Sequence, residues 1–214
     1  MEKIHIERGS FKNHDISHMI SKQFNENIIL PKFAESLNTN TNSNKLNQFE
    51  QNDKFKISHI YKNFFISDIL NSNNINELKR LNIKSVLQLG IKKKSSEIID
   101  LYKKFNINYH FLEINDSYTS DISKCFEPAW KIINNSLNKF KNCNILIHCN
   151  KGISRSPIIV AYFLTRKMHE KLSDNKNKSV VDDILTLIKM NRPCSNPNKI
   201  FIKQLKNYEN IVIN

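Results

Sequence analysis

From Phe55 onward the apolar residues recur in two alternating periods. Lys56-Ile-Ser-His-Ile60 and Asn63-Phe-Phe-Ile66 are short β-rich runs a turn apart, and they predict a pair of short strands. Helical spacing follows over Asn74 to Leu81, then an apolar run, Lys84-Ser-Val-Leu-Gln-Leu89, that reads as a buried strand. Ser95 to Phe105 is again helical, Asn108 to Ile114 alternates like a strand, and a helix is expected to end near Phe140. The β-branched Asn144-Ile-Leu-Ile-His148 predicts a further strand, and Ile158 to Leu164 the core-facing part of a helix. Glu170 to Lys178 is polar and predicts a surface loop. Ser179-x-x-Asp182 is spaced like a capping box for a helix through Met190.

Strands separated by helices of this size imply βαβ units. The expected fold is α/β: a central, mostly parallel but mixed sheet of about five strands, with helices on both faces. Residues 1–52 do not share the pattern. They hold one mildly apolar patch, Ile28-Ile-Leu-Pro-Lys-Phe33, and then the Asn-rich Leu37-Asn-Thr-Asn-Thr-Asn-Ser-Asn44, which has too little apolar surface to offset the entropy of ordering. We therefore expect an N-terminal extension over 1–52, partly flexible, and a single globular domain over 53–214. No run of 18 apolar residues occurs, so no transmembrane segment is expected.

Charge changes the picture of partners. The net charge is +13, and residues 1–52 carry six basic and six acidic residues, so the excess lies in the domain. A basic domain attracts phosphorylated substrates and also anionic lipid or other acidic surfaces; a solvated Lys-rich surface is the plain alternative. The four cysteines, Cys125, Cys143, Cys149 and Cys194, have neither metal-ligand spacing nor disulfide density, which points to a reducing cytosol or nucleus, with no cofactor and no metal.

The candidate chemistry sits between the fifth strand and the helix behind it. His148-Cys149-Asn150-Lys151-Gly152-Ile153-Ser154-Arg155-Ser156 places a loop at a helix start, where free N–H groups and the helix dipole favour an anion. Cys149 under those amides should be held as a thiolate, hence a nucleophile. Arg155 can hold two phosphate oxygens at once. Gly152 permits the backbone conformation the loop needs. Ser156 can turn its hydroxyl toward the Cys149 sulfur, and His148 can brace the loop. Asn150, Lys151, Gly152, Ile153, Ser154 and Arg155 are thus expected to line a phosphate site.

This stretch resembles the His-Cys-x-x-Gly-x-Ser-Arg-Ser signature of the cysteine-dependent dual-specificity protein phosphatases, part of the protein tyrosine phosphatase superfamily. The likeness extends over about 53–211. It includes Asn115-Asp116 followed by Asp121-Ile122, and the Arg192-Pro, Pro197-Asn, Gln204-Leu and Tyr208-Glu pairs near the end. It implies a compact, atypical member with a protein tyrosine phosphatase-like fold. Cys149 would be the nucleophile, Arg155 the phosphate ligand, Asp116 the general acid and base, Ser156 a helper of the departing sulfur, and Asp121 a helix cap. It also implies phosphorylated proteins as substrates, at tyrosine and at serine or threonine, with no nucleic acid partner, since triphosphatase relatives carry Asn-Arg-Thr where this chain has Ser154-Arg155-Ser156. The alternatives left open are a phosphoinositide or other non-protein phosphatase, and a catalytically silent module that binds phosphorylated partners. Lys92-Lys-Lys94 could rim the cleft or simply be solvated, and Arg192 could be structural.

Overall fold

The computed structural model describes residues 56–171 and 179–213. The expected extension over 1–52 and residues 172–178 of the expected surface loop lie outside the described residues. Among the described residues five strands form one sheet: β1 (Ser58–Tyr61), β2 (Phe64–Ser67), β3 (Ile83–Gly90), β4 (Asn108–Glu113) and β5 (Asn144–His148), in the order β1-β2-β5-β3-β4. β1 pairs antiparallel with β2, and every other pairing is parallel. The expected mixed sheet is what forms. A tight turn with Lys62 at positive φ joins the antiparallel pair.

Among the described residues six α-helices cover the sheet: α1 (Ile75–Arg80), α2 (Ser96–Lys104), α3 (Phe126–Lys139), α4 (Arg155–Lys171), α5 (Val181–Asn191) and α6 (Lys199–Ile213). Strand alternation sends Phe65, Val86 and Leu146 to one face, where they meet Ile75 and Leu78 of α1 and Tyr102 of α2. Phe64 goes to the other face and packs on Phe163 of α4, with ring centres 5.0 Å apart. Burial on both faces explains why β3 and β5 read as apolar runs rather than alternating ones.

The chain has only three glycines, and asparagine takes the left-handed positions that end segments elsewhere. Asn82, Asn106 and Asn142 have φ of 49°, 55° and 57°, just after α1, α2 and α3. The short amide side chain tolerates this conformation, so an Asn-rich composition still supplies sharp exits into β3, β4 and β5.

One expectation is overturned. Ser179 does not cap α5. The helix begins at Val181, its N-cap position is Val180, and no side chain caps it locally. Instead the buried Glu209 of α6 accepts from the Ser179 hydroxyl (2.5 Å) and from the Val180 N–H (2.8 Å), and lies 3.0 Å from His169 Nε2 of α4. A carboxylate from 29 residues away replaces the local cap, and it joins three helices at one point. Its removal strands buried polar groups, which is costlier than losing a surface cap. Glu209→Ala should therefore lower stability by about 3 kcal/mol, and Ser179→Ala by about 1 kcal/mol or less. Thermal melts of both variants check this; a larger loss for Ser179→Ala would restore the capping-box reading.

Candidate active site

All four parallel strands end at the same edge of the sheet, and the loops leaving that edge build the site. Between β5 and α4, residues 149–154 curl beneath the start of the helix. Four consecutive carbonyls of this loop are tied outward. Asn150 O accepts from Ile69 N–H (3.0 Å), Lys151 O from Arg192 Nη2 (3.3 Å), Gly152 O from Arg192 Nε (2.7 Å), and Ile153 O from Asn196 N–H (2.9 Å). In a trans peptide the C=O and the next N–H point in opposite directions. Turning the carbonyls out therefore turns the N–H groups of residues 151–154 inward, and the cup of donors is a consequence of what holds the loop from behind.

Gly152 makes the turn possible, with φ of 65°. A Cβ here would stand 2.4 Å from Ser67 O and 2.6 Å from Arg192 Nη2, so the loop is pressed against the end of β2 with no room for a side chain. Arg192 is fully buried and spends its remaining Nη1 donor capacity on Lys56 O (2.8 Å), Ser58 Oγ (2.9 Å) and Ile66 O (3.4 Å). The open question about Arg192 resolves as structural: it fastens the loop to β1 and β2.

Cys149 sits buried inside the cup. Burial alone raises a thiol pKa, and it is the largest single influence here. The Ser156 hydroxyl, 3.4 Å from the sulfur, the Ser156 N–H, the Arg155 charge and the Gly152 N–H together outweigh it, so the thiol lies below the ordinary range. Burial instead pushes Cys125 up to about 11 and raises Cys143. The surroundings thus favour the thiolate at Cys149 and the thiol at Cys125 and Cys143.

Arg155, the first residue of α4, is buried and donates from Nη1 to Ile114 O (3.1 Å). Its Nε is buried without a hydrogen-bond partner, which is the state of a donor that a ligand oxygen would satisfy. Asp116, on the loop after β4, stands with Oδ2 3.6 Å from that Nε. Ser154 holds the carboxylate from the other side: its hydroxyl donates to Asp116 Oδ1 (2.9 Å) and accepts from Asn198 N–H (3.0 Å). The loop around Cys149, the Asp116 loop and the Pro197-Asn198 segment therefore meet through one hydroxyl. Ser154 was expected as a phosphate ligand only; its side chain faces Asp116, and nothing in the local pattern announces that. Asp121 caps the 3-10 turn Ile122–Cys125 by accepting from Ser123 N–H (3.1 Å) and is held in that role.

His148 is buried at the end of β5, with Nδ1 3.2 Å from Cys149 O and Nε2 without a partner. Burial, aided by the charge of Lys94, lowers its pKa to about 3, so the ring is neutral at physiological pH. Lys94 is neither a cleft rim nor a solvated side chain. It is buried, bonded to Ser72 Oγ (2.7 Å) and Asn73 Oδ1 (2.6 Å), and burial brings its pKa down to about 8. Asn150, Lys151, Lys92 and Lys93 are exposed, and Ile153 is half-buried.

This loop and fold have known counterparts. The dual specificity phosphatase catalytic domain model matches residues 64–211. A probable dual specificity protein phosphatase of Dictyostelium discoideum is 32% identical over 177 residues, 72% of each chain. Tyrosine-protein phosphatase vhp-1 of Caenorhabditis elegans is 31% identical over 157 residues, which are 73% of this chain and 22% of that one. Among solved structures, the Yvh1 phosphatase domain of Chaetomium thermophilum has a TM-score of 0.60 at 20% identity, covering 72% of this chain and 96% of that one. The human tyrosine phosphatase-like serine/threonine/tyrosine-interacting protein has a TM-score of 0.58 at 22% identity, covering 74% and 99%. At such identities the solved structures establish the fold. The chain belongs to the dual specificity phosphatase family and carries its protein phosphatase catalytic domain. No helix among the described residues is long and apolar enough to cross a membrane.

The pKa directions predict selective chemistry. Iodoacetate should alkylate Cys149 with a midpoint below the ordinary thiol value of about 8.5, and Cys125 and Cys143 only at higher pH. Peptide mapping across a pH series reads this directly. Arg192→Met frees the Lys151 and Gly152 carbonyls, so its Cys149 midpoint should move up toward the ordinary value; an unchanged midpoint would show that the cup does not depend on the outward ties.

Proposed function

We propose that this domain hydrolyses phosphotyrosine and phosphoserine or phosphothreonine in proteins through a phosphocysteine on Cys149. The observation that carries the reading is a sulfur with three donors converging on it, the Ser156 hydroxyl and the Ser156 and Gly152 N–H groups, beside a buried guanidinium with a free N–H and a carboxylate 3.6 Å from that nitrogen.

In the first step the Cys149 thiolate attacks phosphorus in line with the ester oxygen. An S–P bond forms and the P–O bond breaks. Its electron pair leaves with the oxygen, which takes the proton of the Asp116 carboxyl. Arg155 and the inward N–H groups of residues 151–154 bind the equatorial oxygens, where charge is concentrated. In the second step the Asp116 carboxylate takes a proton from water as its oxygen attacks phosphorus. The S–P bond breaks, inorganic phosphate forms, and the sulfur departs as a thiolate received by the Ser156 hydroxyl. Ser154 and Asn198 keep Asp116 over the pocket through both steps. The charge on the phosphate is met by Arg155 and backbone amides, and no step requires a metal.

Cys149→Ser should bind a phosphotyrosine peptide and fail to hydrolyse it. Asp116→Asn should lower kcat by about 10²- to 10⁴-fold with a much smaller change in KM, most for substrates with poor leaving groups. EDTA should leave wild-type turnover of an aryl phosphate unchanged. Metal-dependent hydrolysis that survives in Cys149→Ser would refute the mechanism.

A further inference from the structure

Among the described residues five large apolar side chains stand exposed: Leu70, Ile91, Tyr118, Met190 and Ile211. Leu70 (76% exposed), Ile91 (62%) and Tyr118 (76%) lie on the loops that leave β2, β3 and β4 at the edge carrying the pocket. Three of the five thus gather around one site, where scattered exposure would be unremarkable.

These loops are not slack. Leu70 follows Ile69, whose N–H donates to Asn150 O of the Cys149 loop (3.0 Å). Ile91 follows Gly90, whose carbonyl accepts from Ile114 N–H (2.9 Å), and Ile114 O in turn holds Arg155. Tyr118 is two residues past Asp116, in a turn closed by a Ser117–Ser120 hydroxyl pair (2.7 Å). Leu70 and Ile91 are displayed to solvent beside backbone tied to the pocket loops, and Tyr118 by a turn closed on itself two residues past Asp116.

Strand order sets the spacing. With neighbouring strands about 4.8 Å apart, the Leu70 and Ile91 loops flank the Cys149 loop at one spacing on either side, and the Tyr118 loop lies one further out. An extended peptide advances about 3.3 Å per residue, so these side chains fall within about three residues of a phosphate seated over Cys149. Exposed Lys92, Lys93 and Lys151 on the same loops complement the charge of that phosphate. Exposed Glu97 and Glu113 at this edge would oppose an anionic bilayer.

We propose that Leu70, Ile91 and Tyr118 form a recognition rim that selects phosphorylated peptide segments with apolar side chains within about three residues on either side of the phosphoresidue. The inference rests on the phosphatase reading above and adds the class of substrate to it.

The test uses the full chain and three substrates: an aryl phosphate, a phosphotyrosine peptide with leucine at the second position on each side, and the same peptide with serine there. Wild type should prefer the leucine peptide in kcat/KM by about tenfold, the equivalent of one half-buried apolar side chain on each flank. The Leu70→Ser, Ile91→Ser, Tyr118→Ser triple variant should bring the two peptides to near parity and leave the aryl phosphate rate within about twofold, as expected for surface residues outside the chemistry. Equal turnover of both peptides by wild type, or a preference that survives in the triple variant, overturns the rim. So does loss of peptide preference combined with rim-dependent sedimentation on anionic vesicles, which assigns the patch to a bilayer. Anisotropy titrations of the same labelled peptides separate the two levels. Absent aryl phosphate turnover refutes the phosphatase reading, while the leucine-over-serine binding preference still decides the rim.

Discussion

An ionised sulfur inside a protein must be offset by donors, because burial works against the charge. At Cys149 burial is the largest single influence and it is still outweighed, by a hydroxyl, two backbone N–H groups and the Arg155 charge acting together. The rest of the site can be read as the means of keeping those donors aimed. Backbone amides cannot be aimed singly, since each is rigidly coupled to the carbonyl before it. The chain meets this by tying down the carbonyls of residues 150–153, two of them to Arg192, one to the segment after β2 and one to the segment after α5.

The fold supplies those anchors because of its strand order. β5 is the middle strand, with β2 on one side and β3 on the other, so the loop leaving it is flanked by loops from both neighbours. Ser67 at the end of β2 presses on Gly152, Ile69 just beyond it holds Asn150, and Ile114 after β4 holds Arg155. A parallel sheet buried on both faces makes this edge rigid, and rigidity is what a preorganised anion site requires. The buried Lys94 is bonded to Ser72 and Asn73 in the segment after β2, and its charge helps keep the buried His148, directly before the loop, neutral.

Much of this was legible in the chain. The alternation of periods from Phe55 to Met190 marks the strands and helices, and the run from His148 to Ser156 holds Cys149 and Arg155 in one loop, because the two are local in sequence. What escaped is non-local. Arg192 serves Gly152 from 40 residues away, Glu209 displaces the local cap that the Ser179-x-x-Asp182 spacing predicts, and Ser154 turns to Asp116 across 38 positions. Local periodicity reports which face of an element is buried and says nothing of which distant group will satisfy a particular donor. Lys94 misleads for a related reason: three lysines in a row read as surface, and only the placement of Ser72 and Asn73 makes room for the third inside.

The central claim is that Cys149 takes the phosphoryl group covalently before water does. Slowing the second step with Asp116→Asn, quenching in acid soon after mixing with an aryl phosphate, and mapping the peptides by mass spectrometry tests it most directly. The account predicts one phosphoryl group on the peptide containing Cys149, on the sulfur, and none when Cys149 is replaced. A phosphoryl group on a serine or histidine instead, or burst release of the aryl group with no labelled peptide at all, would contradict it.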